Sequence, residues 1–187
     1  MEIRALREAD DRNGFSCGEA DLDRFFQRFA AQNQFRHYLG VTYVAVEDKR
    51  IVGFATVAPG QIEVEGFPAA ARRTLPRYPL PVLRFARLAI DRPHQGRGLG
   101  AQLLRFVLGL ARRMADDYGC VGVVADAKPG AVAFYAKYGF IPVEAITGQS
   151  EARPRPTPMF LATRAIRQAS GGPANGRVGR SKSGDRP

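Results

Sequence analysis

The stretch Arg87-Leu88-Ala89-Ile90-Asp91-Arg92-Pro93-His94-Gln95-Gly96-Arg97-Gly98-Leu99-Gly100 runs from a short apolar strand, through a glycine-rich loop, into a helix with leucines at helical spacing. This order builds an anion cradle. Glycines at 96, 98 and 100 let the backbone approach a phosphate closely, and the unpaired N–H groups of the helix's first turn point at it. The stretch predicts a ligand that carries a pyrophosphate.

Downstream, Leu99, Leu103, Leu104, Val107, Leu110, Ala111 and Met114 form the stripe of one long helix with a single buried face. Val121 to Ala125 is a continuous apolar strand, 131–138 is a short helix stopped by Gly139, 140–143 begins another strand, and 159–165 reads as the last. Upstream, 82–91 is the strand that feeds the loop. Residues 60–81, with Pro68, Pro76, Pro79 and Pro81, read as a loop holding a short helix around 69–73. Val41 to Val46 and Ile51 to Val57 flank Glu47-Asp48-Lys49-Arg50 as a hairpin. Ser16-x-x-Glu19 offers a capping box for a helix with Leu22, Phe25, Phe26 and Phe29 on its apolar side, ending near Phe35, and 1–6 is an edge strand. The expected class is α/β, a mixed sheet with helices on both faces.

The chain has 187 residues, 45% of them hydrophobic, enough for one domain over 1–167 with a sizeable core. Residues 168–187 are rich in Ser, Gly, Pro and Asn and read as a disordered basic tail. The formal net charge is +10, about three of it from Arg177, Arg180, Lys182 and Arg186 against Asp185 in that tail. The body is therefore basic too, which favours a polyanionic partner such as nucleic acid. No run reaches the roughly 20 apolar residues of a membrane helix, and the first residues lack a signal peptide's apolar core, so a cytoplasmic protein without a membrane partner is expected. Cys17 and Cys120 have no metal-ligand spacing, and no metal is expected.

Several phosphate ligands fit a glycine loop. Gly96 to Ala101 formally matches the dinucleotide fingerprint, but four residues separate the strand end from the first glycine and no βαβ unit precedes it. No Gly-Lys-Ser/Thr follows, so a P-loop is excluded. The remaining pattern is a strand, Gln95-x-x-Gly98-x-Gly100, a long helix, an apolar strand, and a helix bearing Phe134-Tyr135 with Gly139-Phe140 behind it. It resembles the GNAT superfamily of acyl-CoA-dependent N-acetyltransferases over about residues 1–165. Phe15-Ser16-Cys17-Gly18, Leu22-Asp23, Pro76-Arg77-Tyr78-Pro79, Arg87 to Asp91 and Asp126-Ala127-Lys128 look more narrowly like the TacT/AtaT-type toxins of bacterial toxin–antitoxin pairs.

The resemblance implies a GNAT fold, a mixed, mostly antiparallel sheet, and acetyl-CoA as the donor. It implies that Leu88, Ala89 and Ile90 pair with the pantetheine arm, that Gln95, Gly96, Arg97, Gly98, Leu99, Gly100 and Ala101 hold the pyrophosphate, and that Ala131, Phe134 and Tyr135 flank the coenzyme. It also implies an aminoacyl-tRNA acceptor whose acetylation blocks translation, a ribbon-helix-helix antitoxin and a homodimer.

Tyr135 is the candidate general acid, because a phenol with a reference pKa near 10 can protonate a departing thiolate without ionising first. A lysine amine near 10.4 is almost wholly charged at pH 7, whereas an α-amine near 8 is partly neutral, so the missing carboxylate or histidine pair is compatible with an α-amine acceptor. Arg72, Arg73, Arg77, Arg84 and Arg92 are the candidate tRNA contacts, expected to bind phosphates in a salt-dependent way. Two other readings stay open: a housekeeping enzyme acetylating a small amine or a protein amino terminus, and a non-catalytic acyl-CoA sensor that binds nucleic acid.

Overall fold

A computed structural model describes residues 1–67, 72–73, 76, 78–144 and 155–170. Seven strands form one sheet: β1 (Glu2–Ala5), β2 (Val41–Glu47), β3 (Arg50–Ile62), β4 (Leu80–Ile90), β5 (Gly122–Ala127), β6 (Ile141–Pro142) and β7 (Thr157–Ala162). Their spatial order is β1-β2-β3-β4-β5-β7-β6. Every pairing is antiparallel except β4 with β5. A parallel pair needs a crossover, and it is made by α3 (Leu99–Asp117), after α1 (Ala20–Arg24) and α2 (Ala30–Phe35) have packed on the opposite face. Two short helices follow, α4 (Val132–Lys137) and α5 (Thr163–Ser170).

The core divides by sheet face. On one face Leu103, Leu104, Val107 and Ala111 of α3 are fully buried against Ala45, Ala55, Phe85 and Val123, with Tyr135 of α4 and Ile166 of α5 in the same cluster. Each such leucine stabilises the fold by about 1.5–3 kcal/mol through its burial. On the other face, Phe26 stacks on Phe54 with centroids 4.4 Å apart, and Phe15 closes edge-on against both. A π-turn, Phe25–Phe29, joins α1 to α2. It lets Phe26 enter this cluster while Phe25 and Phe29 line a neighbouring cleft.

One extra residue in β4 organises the site. Val57 pairs with Phe85 and Thr56 with Arg87, which leaves Ala86 opposite nothing, a β-bulge. Before it, Leu83 and Phe85 face the α3 side; after it, Leu88 and Ile90 do, and Arg87 and Ala89 turn to the α1 side. The parallel β4–β5 pairing covers only Val82–Phe85 against Gly122–Ala125. From the bulge onward β4 stays on β3 while the end of β5 stays on β7, so the sheet splits.

Several expected boundaries move. The hairpin turns on Asp48 and Lys49, both at positive φ (47° and 65°). β3 continues past Pro59 to Ile62, because β4 pairs with it there while β2 has already ended at the level of Val57. The last strand stops at Ala162 rather than 165, and α5 follows with Ile166 buried. That helix runs to Ser170, into the first residues of the expected tail; 171–187 lie outside the described residues, as do 69–71 of the expected short helix. The expected capping box does not form. Glu19 occupies the N-cap position without a side-chain cap, and the Asp23 carboxylate instead accepts the Cys17 N–H at 2.7 Å and the Ser16 hydroxyl at 2.9 Å.

Candidate active site

The split leaves residues 86–90 of β4 paired on one side only, so alternate N–H and C=O groups face the gap. Leu88, Ala89 and Ile90 lie on this open edge, at the height of the glycine loop. An extended, amide-bearing ligand can complete the missing strand there.

The loop beyond β4 is tied in place. Asp91, almost fully buried, accepts the Ser16 N–H at 3.0 Å, an Arg50 guanidinium N–H at 3.2 Å and pairs with His94 Nδ1 at 3.2 Å. Gln95 Nε2 donates to the carbonyls of Cys17 (2.9 Å) and Ile90 (3.0 Å). The Gln95 side chain therefore acts as a strut, fastening the loop to the strand end. Arg97 sits 3.4 Å from Glu47 and remains half exposed.

Gly96 and Gly98 have φ of +74° and +78°, a conformation that strains any residue with a Cβ. Space around both is open. Gly98 is the N-cap of α3 without a side-chain cap, and its carbonyl accepts the Gln102 N–H at 3.2 Å. The N–H groups of Leu99, Gly100 and Ala101 are the first-turn donors left for an anion. Phe134 of α4 lies against this turn, its ring 3.9 Å from where a Gly100 Cβ would stand, and Ala131 is the last residue of the turn that leads into α4. Geometry and chemistry both fit a pyrophosphate with its pantetheine arm.

Tyr135 is buried, boxed by Phe85 (6.1 Å), Phe134 (5.3 Å) and Phe140 (5.3 Å). Phe85 is the last β4 residue paired to β5, so the phenol stands at the apex of the split. Among the described residues its hydroxyl has no hydrogen-bond partner. Burial, then the nearby Asp126 carboxylate, pushes the phenol well above its ordinary pKa. It stays protonated throughout the physiological range.

On the face opposite α3 the split opens into a cleft of about 590 Å³, bounded by Phe25 and Phe29, by Arg84 and Arg87 of β4, and by Asp126 and Lys128. Arg84 reaches Asp126 Oδ2 at 2.5 Å. Arg87 stacks its guanidinium 3.8 Å above the Phe25 ring, and burial followed by the charge of Arg84 lowers its pKa. Lys128 bridges to Glu19 at 2.7 Å across the end of the gap.

The structure describes four of the five arginines singled out in the sequence. Arg84 is held by Asp126 in the cleft, while Arg72 is exposed and donates to the Phe67 carbonyl at 2.6 Å. Arg73 and Arg92 are exposed, and Arg77 lies outside the described residues. Sequence reasoning passed over Arg87, Phe25 and Asp126 as site residues. The signal for Asp126 was present, a lone acid closing the apolar run 121–125. Among the described residues no cluster could hold a metal, and no helix is long and apolar enough to cross a membrane.

Comparison with known proteins agrees with this geometry. Residues 39–142 match the model of the acetyltransferase (GNAT) domain. A "tRNA-acetylating toxin" of Mycobacterium tuberculosis is 38% identical over 140 residues, 73% of this chain and 82% of that protein. The structure of AtaT complexed with acetyl-methionyl-tRNAfMet superposes with a TM-score of 0.78 at 25% identity, covering 91% of this chain and 99% of the other. A tyrosine-to-phenylalanine mutant of AtaT, bound to the C-terminus of the antitoxin AtaR and acetyl-CoA, gives 0.70 at 25% identity over 90% and 96%.

Proposed function

This chain belongs to the GNAT acetyltransferases, and from that premise we propose that it is a toxin acetylating the α-amine of aminoacyl-tRNA and so blocking translation. The observation that carries the reading is the split of β4 from β5. It sets an anion cradle and Tyr135 on the α3 side against a basic, aromatic cleft on the other. The 38% relationship to a protein named for tRNA acetylation supports the acceptor.

The residues divide the work. The first-turn N–H groups at 99–101 take the pyrophosphate, and the open edge at 88–90 takes the pantetheine amides and polarises the carbonyl to be attacked. When bound, acetyl-CoA supplies the acetyl group as an activated thioester. Tyr135, kept neutral by burial, donates its proton to the departing sulfur. The acceptor approaches through the cleft, where Arg87, without a carboxylate partner among the described residues, stands ready for the oxygens of a charged tRNA end. Exposed Arg73 and Arg92, together with Arg72, extend the positive surface for phosphates.

The enzyme acts where acetyl-CoA and charged tRNA are found, the cytoplasm, as a homodimer silenced by a ribbon-helix-helix antitoxin. The AtaT structure with the AtaR C-terminus supports the antitoxin. Exposed Tyr38, Leu39 and Tyr118, beside a groove of about 750 Å³, offer apolar surface for a protein partner.

Incubation with labelled acetyl-CoA and a pool of aminoacyl-tRNAs tests the reading. Label on the aminoacyl end of tRNA is expected. Label on polyamines or peptides with none on tRNA overturns it in favour of the housekeeping alternative.

A further inference from the structure

The Asp126 side chain is about nine-tenths buried, yet only one of its oxygens is used. Oδ2 takes the Arg84 guanidinium at 2.5 Å; Oδ1 is buried without a partner among the described residues. An unmet buried acceptor costs about 1–3 kcal/mol, more when charged, so Oδ1 gains from any donor brought to it. Asp126 lies one residue beyond the last β4–β5 pair, on the same strand face as Val124, and lines the acceptor cleft. Tyr135, whose phenol is affected by its charge, stands on the other side of the split. Because Arg84 is already committed to Oδ2, the free oxygen is left for a second, incoming cation.

We propose that Asp126 Oδ1 is the subsite for the acceptor's primary ammonium, which it orients and deprotonates for attack. This rests on the proposed aminoacyl-tRNA reading, which leaves open how the amine is held and where its proton goes. One ammonium proton passes to Asp126 and on to solvent. The freed nitrogen lone pair forms the N–C bond at the thioester carbonyl carbon as the C–S bond breaks. The departing electron pair stays on sulfur, which takes the Tyr135 phenolic proton. The second proton lost by the nitrogen restores the phenol.

The charged and titratable groups that face Asp126 are Arg84 and Arg87 on β4, Lys128 beyond β5, Asp21 and Arg24 on α1, and Tyr135 on α4. Arg84 and Arg87 on β4 and Lys128 beyond β5 balance the charge of the carboxylate in the cleft.

The test compares tRNA charged with an amino acid and tRNA charged with the matching hydroxy acid, which lacks the ammonium. Wild-type protein should bind the aminoacyl form roughly tenfold more tightly, a difference on the scale of one charge-assisted hydrogen bond. Equal affinities overturn the proposal without any variant. Asp126→Asn should erase that preference and lower kcat/KM for the acceptor by roughly 10- to 100-fold. Acetyl-CoA affinity should stay within about twofold, because the coenzyme is held at 88–90 and 99–101. Below the amine's pKa the variant's rate should climb about tenfold per pH unit, as it must wait for neutral amine from solution, whereas the wild-type profile is shallower. A variant within threefold of wild type, with the same profile, refutes the role of Asp126. If tRNA is not acetylated at all while another amine is, the tRNA reading fails separately, and the Asp126→Asn effect is then read on that amine.

Discussion

Replacing Tyr135 by Phe removes one hydroxyl and leaves the ring. The contacts to Phe85, Phe134 and Phe140, at 5.3–6.1 Å between centroids, are kept, and no hydrogen bond is lost among the described residues. Stability should change by less than about 1 kcal/mol, a shift in Tm of no more than about 4 °C for a chain of this size. The cradle and the open strand edge are untouched, so acetyl-CoA should bind within about twofold of wild type by calorimetry. Turnover is another matter: a positioned acid contributes about 10²- to 10⁴-fold, or roughly 3–5 kcal/mol of barrier. The assay is transfer of labelled acetyl to aminoacyl-tRNA at saturating acetyl-CoA. Because burial raises the phenol, wild-type kcat should show no alkaline fall near pH 9–10 from loss of this proton. A variant that keeps kcat within threefold refutes the assignment, as would a loss explained wholly by weaker coenzyme binding.

Gly98→Ala puts a Cβ at φ +78° with open space around it, so strain of about 1 kcal/mol is expected, together with a rise of tenfold or more in the acetyl-CoA Kd as the methyl group enters the anion's approach; differential scanning and titration read both. Gly122→Ala drives a Cβ to 2.4 Å from the Leu161 carbonyl and the Phe160 ring, and should cost more than about 2 kcal/mol in urea unfolding. Asp10 takes two hydrogen bonds from Arg4 at 2.8 Å and one from the Arg7 N–H at 2.7 Å; the Arg4 bond leads in holding its pKa below the ordinary value. The sign follows from the depressed folded value: this stability is present above the unfolded pKa near 3.9 and is lost as pH falls through the lower folded one. Asp10→Asn should therefore cost about 1 kcal/mol at pH 7 and flatten the acid branch of stability against pH.

What could be read from the chain was local. The glycine spacing, the α3 stripe and the β2–β3 hairpin each depend on residues within a few positions of one another, and each is present in the structure. The capping box is as local, and failed, because Ser16 gives its N–H to Asp91, 75 positions away, and its hydroxyl to Asp23, while the Glu19 carboxylate is taken by Lys128. The site's organising features are not local. The bulge at Ala86 exists only relative to β3, and the Arg84–Asp126 pair joins residues 42 positions apart. Gln95 reads as a phosphate contact in a motif, but its amide finds two carbonyls, one of them 78 residues away. Side chains that a linear pattern offers to a ligand can be claimed first by the fold.

The lashings of Asp91 and Gln95 bear on the thermodynamics of donor capture. A free glycine loop would have to surrender backbone freedom on meeting an anion, about 1–2 kcal/mol for each residue fixed. Here Ser16, Arg50, His94, Cys17 and Ile90 already restrain the loop. The conformational entropy was given up when the chain folded, so the free energy of the phosphate contacts goes into affinity rather than into ordering the loop.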